Sequence, residues 1–168
     1  MASVRLEEDQ DIEAIRHVNV AAFGGRVEAD LVDLLRDRGK LLVSMVAESE
    51  GAIVGHIAFS LVVLESRAQV RGVGLGPMAV LPSMQRHGIG SVLVQAGLNR
   101  CRQLQYEFAV VLGHANYYPR FGFAPARRFA LRCSWEVPDD VFMALELSAG
   151  ALAGSSGLVT YEPEFSTA

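Results

Sequence analysis

The chain has 168 residues, of which 51% are hydrophobic and 20% are charged. That length suits one domain, and the composition excludes a chain that is disordered throughout, because enough apolar side chains are present to form a core. The formal net charge of −4 excludes a protein-wide basic surface of the kind that attracts DNA or RNA.

The first half of the chain predicts two amphipathic helices followed by an antiparallel hairpin. Asp9 or Asp11 can cap the first helix, which ends at the Gly24-Gly25 pair, and Gly39 terminates the second. A turn that contains Gly51 separates the two strands of the hairpin. The first helix is predicted between the Asp9 or Asp11 cap and the Gly24-Gly25 pair, the second over about 28–38, and the strands over 41–48 and from 52 to about 64.

The middle of the chain has the order of a parallel crossover unit, in which a strand, a glycine-bearing loop, a helix and a second strand follow one another. Pro77 falls inside the first of these strands. Because proline has no N–H to donate, it marks an edge, a bulge or a place where two strands part. The predicted ranges are 72–81 for the first strand, 82–90 for the loop, about 89–105 for the helix and 108–112 for the second strand.

The C-terminal part predicts short strands between turns. One helical turn is expected before Gly122, and two strands joined by a turn at 136–140 follow it, as in a hairpin. The tail from Ser148 has turn composition and ends in one more short strand. The predicted strand ranges are 126–135, 141–147 and 158–161. No repeat or linker divides the chain, so we predict a single domain over residues 1–168.

Three observations bear on the cellular compartment. Residues 1–9 turn acidic at once, which is unlike a secretory signal or a transit peptide. The longest apolar run, residues 57–64, is far shorter than the roughly 20 residues that span a bilayer. Cys101 and Cys133 have no neighbouring Cys or His, so neither a disulfide nor a zinc site is indicated. We therefore expect a cytoplasmic protein with no metal and no membrane partner.

The glycine-bearing loop reads Gln-Arg-His-Gly-Ile-Gly over residues 85–90 and lies between an apolar strand and an amphipathic helix. The first N–H groups of a helix have no partner within the helix, and the helix dipole adds positive charge, so an anion fits there. The loop lacks the Lys-Ser/Thr of a nucleotide-hydrolysing P-loop and the third glycine of a dinucleotide fold. These residues alone leave two interpretations open, an anion-binding loop and a structural turn.

Three segments together resemble the signature motifs of the GNAT superfamily of acyl-CoA-dependent N-acetyltransferases. They are Pro-Met-Ala-Val-Leu-Pro at 77–82, the loop at 85–90, and Tyr-Pro-Arg-Phe-Gly-Phe at 118–123. The resemblance covers about residues 3–147, is to a bacterial branch of small predicted acetyltransferases, and leaves 148–168 as a C-terminal extension. It implies an α/β fold with a mixed, partly parallel central β-sheet flanked by helices, whose strands splay apart at the acyl-CoA site.

The resemblance also implies roles for individual residues. Met78, Ala79 and Val80 match the strand whose backbone pairs with the pantetheine arm of acetyl-CoA and polarises the thioester carbonyl. Tyr118 matches a tyrosine that protonates the leaving thiolate, which a phenol of pKa about 10 can do; packing under Gly122 is the structural alternative. The residues matched to the diphosphate site are Gln85, Arg86, His87, Gly88, Ile89, Gly90 and Ser91.

The base that takes the proton of the amine is left open. Members of the family often use a glutamate on the strand before the loop, but residues 72–84 contain no acid. Glu65, His56 and His114 are the candidates, and His114 stands beside the predicted splay with a side chain whose usual pKa suits a base. His56 alternates with Ser60 on one face of its strand, which also predicts a hydrogen-bonded interior residue.

The leading hypothesis is an enzyme that moves an acetyl group from acetyl-CoA to a primary amine by direct attack in a ternary complex. The alternative is a module or sensor that binds acyl-CoA with little or no turnover. Residues 71–132 hold eight arginines against Glu107 alone, but no interleaved aromatic residues accompany them, so no nucleic-acid partner is expected. The acceptor, a small-molecule or peptide amine, stays open, as does a homodimer formed through the C-terminal hairpin.

Overall fold

The computed structural model describes residues 2–167, so Met1 and Ala168 of the predicted domain lie outside the described residues. The chain divides into two compact units, each assembled from separated stretches. Unit 1 consists of the chain up to Ser60, Gly76–Gly97 and the chain from Pro163, and unit 2 of Leu61–Leu75 and Leu98–Glu162. The prediction of one domain stays a prediction.

The described residues form three α-helices and a nine-stranded mixed sheet. The helices are α1 (Ile12–Phe23), α2 (Val27–Asp37) and α3 (Ile89–Gln103). The strands are β1 (Ser3–Leu6), β2 (Leu41–Ser49), β3 (Ala52–Leu64), β4 (Gly72–Val80), β5 (Phe108–Leu112), β6 (Ala124–Pro125), β7 (Leu131–Cys133), β8 (Phe142–Glu146) and β9 (Gly157–Tyr161). The predicted α/β fold with a mixed sheet is confirmed.

Unit 1 contains the antiparallel strands at the start of the chain. The predicted β2–β3 hairpin is confirmed, and its turn residues Glu50 and Gly51 both have positive φ, as a tight hairpin turn requires. The sequence did not predict β1, which pairs antiparallel with β2. Four partly exposed residues carry too little periodicity to indicate a strand, and β1 is held by its ladder and by Arg5, which binds Asp11 and Glu48.

Two glycines allow α3 to pack directly on β3 within unit 1. A Cβ placed on Gly55 would lie 2.9 Å from the side chain of Leu93, and one placed on Gly97 would collide with the ring of Phe59. Leu93 and Phe59 are fully buried. Both glycines therefore lie inside regular elements because of close packing, and neither marks a turn.

Unit 2 contains the parallel pairing that the sequence predicted. Gly72–Leu75 of β4 pair in parallel with Phe108–Val111 of β5, as expected for a crossover through α3. β5 also pairs antiparallel with β8, and β8 pairs with β6. Every residue of β5 up to Val111 is buried, because the strand has partners on both edges.

The C-terminal part of unit 2 differs from the prediction in two respects. Ala126–Phe129 form a 3-10 turn that ends at Ala130, with φ of 58°, so the strand expected from residue 126 begins only at β7. β7 pairs in parallel with β9 and not with β8, so the predicted C-terminal hairpin is wrong. The apolar start of β8 is buried beside β5 instead, and a continuous apolar run favours that interior position.

Candidate functional site

The loop predicted to hold a diphosphate connects β4 to α3 within unit 1. After β4 a 3-10 turn covers Pro82–Met84, and α3 begins at Ile89. Two residues between them have positive φ, Arg86 at 66° and Gly88 at 83°. A Cβ on Gly88 would meet nothing within 4 Å, so glycine serves the backbone conformation there and leaves space above the loop.

The loop before α3 is exposed, whereas Ile89, the first residue of the helix, is buried. The N–H of Val92 donates to the carbonyl of Gly88 at 3.1 Å, and the N–H groups of Ile89 and Gly90 come before this bond, where the helix offers no carbonyl four residues earlier. Residues 85–88 are exposed, and Gly90 and Ser91 are half-buried. This end of a 15-residue helix carries partial positive charge, which fits a diphosphate.

Two side chains of the loop bind its own backbone. Gln85 Nε2 donates to the carbonyl oxygen of Val80 at 3.0 Å. His87 Nδ1 lies 3.2 Å from the carbonyl oxygen of Met84, and because a carbonyl only accepts, this nitrogen is the donor. Gln85 thus ties the loop to the end of β4, and His87 ties it to the 3-10 turn. Their direct contact with a diphosphate stays a prediction.

Met78, Ala79 and Val80 are the last three residues of β4. Ala79 is buried, and the other two are half-buried. Pro77 precedes them, after a cis peptide bond from Gly76. The residues of β4 that pair with β5 end at Leu75, directly before this dipeptide. The proline therefore lies where the ladder ends, which agrees with one of its predicted positions, and the splay of the strands stays a prediction.

Tyr118 begins a 3-10 turn in unit 2 and is only 7% exposed. Its ring lies edge-on to those of Tyr117 and Phe123, with centroids 5.0 and 5.8 Å away. A Cβ on Gly113 would collide with the Tyr118 ring, so that glycine makes room for it. Burial, with a smaller contribution from Tyr117, raises the pKa of Tyr118 to about 12. The phenol is therefore protonated at neutral pH.

His56, one of the candidate bases, is a hydrogen-bonded interior residue of unit 1, as its strand position predicted. It is fully buried, with Nε2 2.8 Å from Ser44 Oγ and Nδ1 3.3 Å from Asn19 Nδ2. Burial lowers its pKa to about 4. The ring is thus neutral and out of reach of a substrate in solution.

The other two candidate bases, Glu65 and His114, are exposed residues of unit 2. Glu65 accepts a hydrogen bond from Thr160 Oγ1 at 2.8 Å. His114 follows β5, and its carbonyl accepts the N–H groups of Tyr117 at 3.1 Å and Tyr118 at 3.4 Å. The backbone therefore brings His114 to the turn that carries Tyr118. Of the two, only His114 is linked to that turn by hydrogen bonds.

The predicted site residues fall into two groups. Those of β4 and the loop belong to unit 1 and are joined by the bond from Gln85 to Val80, and those that surround Tyr118 belong to unit 2. The sequence did not reveal the role of Gly113, against which the Tyr118 ring packs. A glycine directly after the apolar run of β5 is the one signal that could have drawn attention to it.

Residues 2–167 contain no group of three or more His, Cys, Asp or Glu side chains that could hold a metal ion. Cys101 and Cys133 are unbridged, and burial raises the pKa of both thiols, which disfavours their thiolate forms. Within the same residues, no helix has the length and apolar character needed to cross a membrane.

Comparison with known proteins gives concordant matches. The model of the acetyltransferase (GNAT) family matches residues 12–123. The uncharacterized N-acetyltransferase YhbS of Escherichia coli is 34% identical over 96% of this chain and 97% of its own. A crystal structure of YhbS in complex with CoA superposes with a TM-score of 0.93, covering 98% of this chain and 92% of that one. A GNAT family acetyltransferase from Brucella melitensis in complex with acetyl-CoA, 34% identical, has a TM-score of 0.81 and 98% coverage of both chains.

Proposed function

Because this chain belongs to the GNAT family of acetyltransferases, we propose that it moves an acetyl group from acetyl-CoA to a primary amine by direct attack in a ternary complex. The similar proteins of E. coli and B. melitensis were solved with CoA and acetyl-CoA, which supports the same co-substrate here. The observation that carries the proposal is the loop at residues 85–88, whose positive φ values lead the backbone into the N-terminus of α3.

The loop and the end of β4 would hold acetyl-CoA. The N–H groups of Gly88, Ile89 and Gly90 donate to the diphosphate, which lies beside Ser91 at the start of the helix, and Arg86 adds the single basic side chain of the loop. Gln85 and His87 keep the loop in shape through their backbone contacts. The backbone of Met78, Ala79 and Val80 pairs with the pantetheine arm and polarises the thioester carbonyl. Acetyl-CoA supplies the activated acetyl group.

Tyr118 is the proposed general acid for the leaving thiolate. With its pKa raised to about 12, it keeps its proton at pH 7 until negative charge develops on sulfur. An ordinary thiol has a pKa of about 8.5, so complete proton transfer from this phenol is unfavourable in water. Tyr118 therefore acts first as a hydrogen-bond donor to the sulfur, and burial of the thiolate favours transfer because it disfavours the charged form.

His114 is the proposed acceptor of the proton from the amine. An alkyl ammonium has a pKa of about 10.4 and must lose a proton before its nitrogen can attack. His114 is exposed at the turn of Tyr118, where its imidazole can take a proton directly or through water and pass it to solvent. In this proposal His114 has the role of the glutamate that residues 72–84 lack.

The first experiment measures release of CoA with a thiol reagent across a panel of amines, antibiotics, polyamines and peptide N-termini. Tyr118→Phe should lower kcat about 100-fold, the lower end of general acid catalysis, with little change in acetyl-CoA affinity. Tyr117→Phe is the matched control, since Tyr117 packs in the same cluster, and it should leave kcat within about twofold of the wild type. An unchanged kcat for Tyr118→Phe would assign Tyr118 to packing alone.

A second pair of variants tests the loop. Gly88→Asp and Gly88→Asn both place a side chain of the same size at a positive φ, which Asn and Asp tolerate better than most residues. Only the aspartate adds a negative charge beside the diphosphate. We expect Gly88→Asp to bind acetyl-CoA at least about tenfold more weakly than Gly88→Asn, the effect of about 1.4 kcal/mol of repulsion. Equal affinity of the two variants would refute the assignment of the loop.

The absence of an acid in residues 72–84 favours one alternative, a module that binds acyl-CoA without efficient turnover. Calorimetry with acetyl-CoA separates the two functions. Tight binding of acetyl-CoA, with no release of CoA in the presence of any amine, would support the binding module. A homodimer also stays a proposal, now without the predicted hairpin as its interface, and light scattering at several concentrations tests it.

A further inference from the structure

The turn that carries Tyr118 also carries an exposed arginine that the proposed mechanism does not use. Arg120 follows Tyr118 in the 3-10 turn Tyr118–Phe121, within unit 2. We propose that Arg120 binds an oxyanion, a phosphate or a carboxylate, of one of the two molecules that react at Tyr118. The 3′-phosphate of acetyl-CoA is one source of such a group, and an acidic group of the amine acceptor is the other. This inference rests on the proposed acetyl transfer, which brings both molecules to this turn.

Arg120 is held in a fixed orientation by Tyr117. Its Nε donates to the carbonyl oxygen of Tyr117 at 2.9 Å, and its guanidinium carbon lies 4.4 Å from the centre of the Tyr117 ring. That ring is itself packed edge-on against Tyr118 and Phe121, with centroids 5.0 and 5.3 Å away. A guanidinium that is already ordered loses less side-chain entropy when it binds a ligand. Arg120 is therefore prepared for binding, unlike an arginine that moves freely in solvent.

The edge of this guanidinium that carries Nη1 and Nη2 has no acidic partner. Among residues 2–167, no carboxylate lies within ion-pairing distance of Arg120, whereas Arg127 pairs with Asp140 at 2.9 Å. Arg120 is exposed, so its terminal N–H groups are open to solvent. Two parallel N–H groups of a guanidinium match two oxygens of a carboxylate or a phosphate. The open edge of Arg120 is therefore suited to an oxyanion.

The charges near Tyr118 also favour an anion. Residues 113–123 contain one arginine and one histidine but no Asp or Glu. Asp139 and Asp140 precede the strand beside β5, and both interact with Arg127. A second ammonium group on the acceptor would therefore be repelled at this turn, whereas an oxyanion would be attracted.

The guanidinium lies close to the proposed acid. It is 4.4 Å from the centre of the Tyr117 ring, which is 5.0 Å from the centre of the Tyr118 ring, so it lies within about 10 Å of the latter. A small amino acid such as 5-aminopentanoate spans a comparable length, and the pantetheine arm of acetyl-CoA is longer. An oxyanion bound at Arg120 can therefore belong to either of the molecules that react at Tyr118.

Calorimetry on the full chain tests both sources. One pair of probes is CoA and 3′-dephospho-CoA, and the other is 5-aminopentanoate and its uncharged amide, titrated in the presence of CoA. If the 3′-phosphate is the source, CoA should bind about fivefold more tightly than 3′-dephospho-CoA, the upper end of what an exposed ion pair contributes. If the acceptor is the source, the same preference should appear for 5-aminopentanoate over the amide. Arg120→Gln should remove the preference, and Arg120→Lys should keep part of it because the charge remains.

Arg128→Gln is the matched control, since Arg128 is exposed on the next 3-10 turn of unit 2, Ala126–Phe129. It should keep the wild-type preference. In the thiol-release assay, Arg120→Gln should raise the KM of the substrate that carries the oxyanion about fivefold and change kcat less than KM. Because Arg120 also packs on Tyr117, urea unfolding of both variants is measured as well.

The outcomes separate this inference from the proposed function. Turnover in which Arg120→Gln keeps the wild-type KM for both substrates would overturn the anion site and leave acetyl transfer standing. A preference for an anionic probe that Arg120→Gln removes, without thiol release from any amine, would support the anion site and refute acetyl transfer. Equal binding within both pairs by the wild type would overturn the assignment of Arg120. A preference that Arg120→Gln retains would do the same, and lower stability of that variant would then leave Arg120 a packing role alone.

Discussion

The chain should lose stability between pH 7 and pH 5 because of one buried histidine. His56 is 0% exposed, and its Nδ1 faces Asn19 Nδ2, which already donates to a backbone carbonyl. Nε2–H donates to Ser44, whose hydroxyl donates in turn to Glu7. A second proton on the ring would therefore set Nδ1–H against an amide N–H. Burial is the main cause of its lowered pKa; Arg36 reinforces the effect and Glu7 opposes it.

The size of the effect follows from the two pKa values of His56. The folded pKa is about 4, and an unfolded histidine has a pKa of about 6.5. Between these values the unfolded state binds more protons, so stability is present above pH 6.5 and is lost as the pH falls. Integration gives a loss of about 2 kcal/mol at pH 5 and about 3 kcal/mol below pH 4. Carboxylates such as Glu7, whose pKa is lowered by Arg36 and Ser44 against the cost of burial, act mainly below that window.

Urea unfolding at pH 7 and pH 5 measures this loss. The wild type should lose about 2 kcal/mol of unfolding free energy, whereas His56→Gln, which cannot titrate, should change by less than about 0.5 kcal/mol. His56→Gln will be less stable at pH 7 because it loses ring contacts, so the comparison is between pH values and not between proteins. His17→Gln, at an exposed position of α1, should lose as much as the wild type. A flat wild-type profile, or an equal loss in His56→Gln, would refute the reasoning.

Two further predictions concern glycines that make room for rings. Gly97→Ala gains about 1 kcal/mol of helix propensity but forces a methyl group onto the Phe59 ring, so its unfolding free energy in urea should fall by about 1 kcal/mol. The control Gln95→Ala, on the exposed face of α3, should keep the wild-type unfolding free energy within about 0.5 kcal/mol. A Gly97→Ala variant more stable than the wild type would contradict the packing. Gly113→Ala should displace the Tyr118 ring and, under the proposed mechanism, lower kcat with acetyl-CoA affinity unchanged; an unchanged kcat would separate ring position from catalysis.

Much of the fold could be predicted because its signals are local. The periods of apolar residues placed α1, α2, α3 and the β2–β3 hairpin, and glycine and proline marked their ends. The loop at residues 85–90 was equally readable, since a bend before a helix depends on the residues that form it. The pairing of β4 with β5 followed from the order of elements, because parallel strands need a long crossover connection, which is usually a helix.

The predictions that failed concern partners that are distant in sequence. β1 is a strand because β2 offers it a ladder, and nothing within its four residues requires that state. β7 pairs with β9 and not with β8, since the apolar start of β8 is buried beside β5. The free edge of a strand can pair with more than one other strand, so local composition does not determine which strand becomes its partner.

The site divides in the same way. The sequence by itself determined the loop, the order of motifs and the tyrosine, because each depends on residue types at fixed short spacings. Only the tertiary structure decided that Gln85 binds the carbonyl of Val80, that Gly113 makes room for the ring of Tyr118, and that Ser44 and Asn19 are the partners of His56. Burial and hydrogen-bond partners are set by which segments pack together, and packing joins residues that no local period relates.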